Sequence, residues 1–300
     1  MLENNPIQMP VSKPAPKSGS KYAVIAKTAA CVLFFLAAAT FFAGACAELA
    51  ANYGMILVPT AAILPWLIRI LVSAFLTMLG FGVVAAMVRP LWVAMLVMAA
   101  AGALFALLLG GGVVAWAGAA AGAALLCGLL LGIAKGLENQ IHFSVRPVSD
   151  KELKLSSILA VLVAVAVGMG YAADAGRGQY VIPPRIMVAI AAQLNGSIAS
   201  LAQTQMVPAA LRGAVQEAAK GQVAAMIAGF ETMARPFAAY APYVLGLVAY
   251  FTAQLAFYLP GLLASLLIGP VLWLLKMTGF VRESSGMEMV SRWGLGRAGE

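Results

Sequence analysis

The chain has 300 residues, 63% of them hydrophobic and only 10% charged, where a soluble globular domain carries about a quarter charged residues. Its apolar runs are too long and too free of charge for the core helices of soluble domains, which excludes a water-soluble globule and points to an all-α, polytopic membrane bundle. The net charge of +8, from 19 Lys plus Arg against 11 Asp plus Glu, sits at the edges of those runs. That distribution suits orientation in a membrane and contact with anionic lipid, and argues against nucleic-acid binding.

Residues 1–22 include Pro6, Pro10, Pro14 and Pro16 with Lys13, Lys17 and Lys21, too polar to bury a face, and read as a flexible tail. The run from about Ala23 to Ala47 is long enough to cross a hydrocarbon core of about 30 Å at about 1.5 Å per residue. Ala45-Cys46-Ala47 before Glu48 also resembles a signal-peptide cleavage site, but the long polar lead favours a first span. From Glu48 to Pro65 there is no Lys or Arg, as expected of an external connection.

A second run extends from Trp66 to Val88 and stops at Arg89-Pro90, because proline has no N–H to donate. The third begins at Leu91-Trp92 and ends near Leu109, where Gly110-Gly111-Gly112 offers a turn. The fourth covers Val113 to Ala134. Residues 135–154 then read as a polar cytoplasmic loop, with Lys135, Arg146, Lys151, Lys154 and the single histidine, His142. Ser156 to Ala173 is a fifth run of about the minimum spanning length, so 23–173 form a five-span region.

In 174–236 the pattern becomes amphipathic. Met187, Ile190, Leu194, Ile198 and Leu201 alternate at helical spacing with Gln193, Asn195, Ser197 and Gln203. After Pro208 a second stripe follows at Leu211, Val215, Val223, Met226, Phe230 and Met233. Two helices are expected, able to pack on each other, lie on the membrane interface or dock a partner. The block 237–276 is either one long kinked span or a hairpin turning at Tyr258-Leu259-Pro260-Gly261. Residues 277–300 form a polar tail, where Ser285 and Glu288 make a capping box.

Six spans place 174–236 outside. Eight spans take Ile186–Met206 across the bilayer and make the last block a hairpin. Both put the two termini in the cytoplasm, and the cell (inner) membrane is the expected location. The positive-inside rule leans to eight, but Gln193, Asn195, Gln203 and Gln205 make a poor lipid-facing helix, and six is preferred.

The chemistry is defined mainly by absences. The two aspartates, Asp150 and Asp174, lie outside the runs, there is one histidine, and there is no HExxH or phosphate-binding loop. Cys31, Cys46 and Cys127 form no CxxC and read as small buried hydrophobes. No catalytic residue, cofactor or metal is expected. Glu48 and Arg69 flank the external connection and form a candidate pair. Gly118, Gly122, Gly132 and Gly136 lie on one stripe with Leu125 and Leu129, and the GxxxG spacing serves helix packing within the chain rather than a dedicated dimer face. Gln193, Asn195, Gln203 and Gln254 are candidate polar lining. Arg-Pro recurs at 89–90, 146–147 and 235–236, which fits proline at helix starts better than an internal duplication.

These features suggest a non-enzymatic structural or assembly subunit of a larger membrane complex, as in secretion, DNA transfer or envelope assembly. Its partners would be membrane lipid and other proteins or further copies of itself. A small-solute transporter or channel is the alternative, and an intramembrane lipid enzyme, lacking its acid and base, comes third.

Overall fold

The computed structural model describes residues 21–57, 63–138, 145–175, 183, 186–188, 190–194, 196–197 and 209–278. They are helical, with no strand among the described residues: α1 (Lys21–Ala51), a single turn α2 (Gly54–Leu57), α3 (Ile63–Met87), α4 (Leu91–Leu108), α5 (Val113–Glu138), α6 (Arg146–Asp174), α7 (Ala209–Ala234) and α8 (Ala241–Met277), with a 3-10 turn over Arg235–Tyr240 joining the last two. Six helical stretches among them are long and apolar enough to cross a membrane, the last running from Gly221 to Met277. The protein is an all-α, multi-pass membrane bundle.

Proline and glycine punctuate these helices as their backbone chemistry requires. Each Arg-Pro step stands at a helix start: Pro90 caps α4, Pro147 is in the first turn of α6, and Pro236 opens the 3-10 turn. There the missing N–H has no helical partner to lose. Between α4 and α5, Gly110 and Gly111 adopt φ of 92° and 69°, a left-handed conformation that a Cβ would disfavour.

Close contacts fix the helix directions. Phe35 lies beside Gly80 and Glu48 beside Arg69, so α1 and α3 are antiparallel. Gly102 meets Ala119 and Ala123 across α4 and α5, and Gly118 to Gly136 of α5 meet Val165 back to Pro147 of α6. Gly246 packs against Ala164, and Gly168 against Pro242, across α6 and α8. Thus α1, α4 and α6 run one way, and α3, α5 and α8 the other. The first and last spans therefore begin and end at the same end of the bundle. That end carries Lys27, Arg89, Lys135, Arg146, Lys151, Lys154 and Lys276 against Glu138, Asp150 and Glu152, while the other carries Glu48, Arg69, Asp174, Glu231 and Arg235.

The core lies around α6, which packs on α1, α3, α5 and α8. Leu155, Leu159, Val163, Ala166 and Val167 are buried along it, and Phe42 meets Phe257 edge-on at 6.1 Å across α1 and α8. Between α1, α3, α4, α5 and α6 is a cavity of about 30 Å³. Its main lining is Phe35, Phe42, Phe105, Leu126, Leu159 and Leu162.

One expectation changes, and one pair of alternatives is decided. The stretch 135–154 is largely helix, since α5 continues to Glu138 and α6 begins at Arg146. Its charges lie on a helix whose other face, Val148, Glu152 and Leu155, is buried. No hairpin forms in the last block, because α8 runs unbroken through Pro260, Gly261 and Pro270. Each proline deprives one carbonyl of its helical donor, which a helix shielded by its neighbours tolerates. The 37 residues of α8 amount to about 55 Å of helix, well beyond a hydrocarbon core of about 30 Å.

Candidate functional site

The expected glycine stripe of α5 packs against α6. A Cβ on Gly118 would come within 2.9 Å of Val165 Cγ1, on Gly122 within 3.0 Å of Leu162 Cδ2, and on Gly136 within 2.9 Å of Pro147 Cβ. These contacts let the two backbones approach closely. Gly132 is looser, with Lys151 Cε at 3.6 Å, and Leu125 of the same stripe faces outward.

Glu48, in the last turns of α1, and Arg69, on α3, form an ion pair through Oε2 and Nη1, both side chains about half exposed. The Arg69 guanidinium also lies over the Phe41 ring, 5.5 Å from its centroid. The pair thus ties α1 to α3 at the less basic end of the bundle. A pair so placed contributes little to stability and mainly keeps two charges near an interface from standing alone.

The candidate lining residues do not come together. Gln193 is exposed on the helical stretch 190–194, while Asn195 and Gln203 lie outside the described residues. Gln254 is half-buried on α8 and donates from Nε2 to Ser157 Oγ of α6 at 2.8 Å, leaving its buried Oε1 without a partner. Thr77 borders the apolar cavity, but its hydroxyl donates to the Ser73 carbonyl at 2.8 Å. With so little polar lining, the cavity has little to hold a water. Cys31 and Cys46 are buried, Cys127 is half-buried, and all three are free thiols. Among the described residues no three of His, Cys, Asp or Glu gather to hold a metal. His142 lies outside those residues.

The most unusual side chain was not anticipated from the sequence. Glu152, in the second turn of α6, is only 1% exposed, and neither carboxyl oxygen has a hydrogen-bond partner. Opposite it on α3 is Gly82, where a Cβ would overlap Glu152 Oε1 and come within 2.9 Å of Ile268 Cδ1 of α8. The carboxyl therefore occupies a seat formed by three helices and opened by the missing side chain of Gly82. The sequence held a signal for it: Glu152 follows Val148 by four and precedes Leu155 by three, on the apolar stripe of α6. Asp150, Lys151 and Lys154 around it gave the segment the look of a loop.

No protein-family model, curated protein or solved structure matches the chain.

Proposed function

We propose that the protein is a non-enzymatic structural or assembly subunit of a larger membrane complex. The observation that supports this most is α7. Every other long helix is embedded in the bundle, whereas α7 packs chiefly on the turn that links it to α8. Met226, Phe230 and Met233 of α7 are 70%, 55% and 80% exposed. They lie three or four residues apart on one face, the spacing by which an apolar helix presents anchors to a partner groove.

Orientation belongs to the same proposal. Cytoplasmic flanks of spans carry the excess of Lys and Arg, so the basic end of the bundle faces the cytoplasm, with the start of α1 and the end of α8. This puts α7 on the outer side of the cell (inner) membrane, where it meets the partner.

A photoreactive residue in place of Met226, activated in intact membranes, tests the reading. It should capture a protein neighbour in stoichiometric amount, whether a second polypeptide or another copy of this chain. Adducts to lipid alone would overturn the docking role. The rival reading, a small-solute carrier, draws on the polar Gln254 and Glu152 inside the bundle. Uptake of solute by the purified chain alone in liposomes would favour it.

A further inference from the structure

We infer that Glu152 is a proton-binding site, and that its proton holds α8 against α3 and α6 at the basic end of the bundle. The inference rests on the seat itself and holds whatever the bundle assembles with. A carboxyl enclosed on all sides without a hydrogen bond is rare in a protein interior. An uncompensated carboxylate there is far more costly than a neutral acid of the same shape.

The charges at this end do not compensate it. On α6, Asp150 and Lys154 are exposed and the Lys151 stem turns toward Gly132 of α5. Just past the end of α3 stands Arg89, whose guanidinium donates to the carbonyls of Ala85 and Val88 at 3.3 and 3.1 Å. The other helices bring Lys276 of α8, two turns beyond Ile268, Lys135 and Glu138 of α5, and Lys27 of α1 to this end. None of them is a hydrogen-bond partner of Glu152.

A metal cation would need several oxygen ligands. The seat instead offers Gly82, Ile268 and, one turn along α6, Ser156, whose hydroxyl already donates to the Leu153 carbonyl at 2.6 Å. A proton is the one cation that needs no further ligand. With it, the side chain fits between Gly82 and Ile268. Without it, the carboxylate must reach water or the rim of Lys154, Arg89 and Lys276, and to do so it parts α8 from α3. Occupancy of the site is thereby coupled to a crevice opening on the basic face.

The test uses the full chain in mild detergent with two carbodiimides, one apolar (dicyclohexylcarbodiimide) and one water-soluble, and peptide mass spectrometry as the readout. In mildly acidic buffer the apolar reagent should modify Glu152, and the modification should fall several-fold in alkaline buffer. The water-soluble reagent should modify Asp150 and spare Glu152. In Gly82→Ala, where the carboxyl is displaced from its seat, Glu152 should become reactive to the water-soluble reagent. The thermal midpoint of the unaltered chain should drop as the buffer is made alkaline, and that of Glu152→Gln should drop less.

Equal alkaline loss in Glu152→Gln and the unaltered chain would overturn the proposal, as would modification of Glu152 by the water-soluble reagent at the rate of Asp150. Protection of Glu152 by sodium chloride but not by choline chloride would assign the seat to a metal cation, and would also overturn it. The labelling arm on the unaltered chain needs no variant to fold.

Discussion

Two glutamates, Glu48 and Glu152, show how far position governs a side chain. Glu48 sits at an edge, meets Arg69 and keeps partial contact with solvent, whereas Glu152 is enclosed with no donor in reach. The glycines of α5 are graded in the same local way. Gly118 faces the branched and stiff Val165, Gly122 faces the end of a more flexible leucine, and Gly132 faces a lysine stem with room to move. Gly118→Leu and Gly122→Leu should each force α5 from α6 at a cost of about 1–3 kcal/mol, while Gly132→Ala should be close to neutral. Thermal unfolding in detergent, with yield and oligomeric size, measures this. A Gly122→Leu chain with unchanged midpoint and size would remove the stripe from the account of packing.

At the scale of elements the contrast is between α6 and α7. The first is surrounded by four helices, and the second is a helix of similar length with Met226, Phe230 and Met233 turned out. Local opening follows burial and contact density. In deuterium exchange of the detergent-solubilised chain, amides of α6 from Leu155 to Val167 should therefore be the slowest and those of α7 from Gly221 to Ala234 among the fastest. Equal protection of the two would mean that α7 is covered within the chain. Helix existence was legible from long charge-free runs, and the α5 stripe from its spacing, because both are local patterns that survive in one dimension. The start of α6 was hidden because Asp150, Lys151 and Lys154 share its turns with buried positions. The fate of Pro260-Gly261 was not legible because the same dipeptide serves a turn or a shielded kink. What decides it is the antiparallel packing of α6 along α8, which brings Ser157 to Gln254 and Ser156 to Gly261. For the same reason Gln254 could be picked out as a polar group at depth, while its partner could not.

At the scale of the molecule, alternating helix directions sort the charge into one strongly basic end and one nearly balanced end. Oriented by that asymmetry, a cysteine introduced at Lys220 of α7 should react with an impermeant thiol reagent in intact cells. One introduced at Lys154 should react only after the membrane is opened. Protection of the Lys220 position with reaction at Lys154 would invert the bundle, and protection of both until lysis would place α7 on the cytoplasmic side. Of the native thiols, Cys31 and Cys46 are buried and give little background, and the half-buried Cys127 is replaced beforehand.

The seat of Glu152 also has a history within each molecule. Gly82 and Glu152 emerge from the ribosome before the last helix, since Ile268, which covers them, lies more than a hundred residues downstream of Glu152. Domains and segments begin to fold from the N-terminus during synthesis, so the nascent chain with its first five spans in place presents the acid without its α8 cover until that helix arrives. Insertion of the final helix is thus the step that closes the seat, and a chain truncated before α8 would leave the carboxyl uncovered on that side.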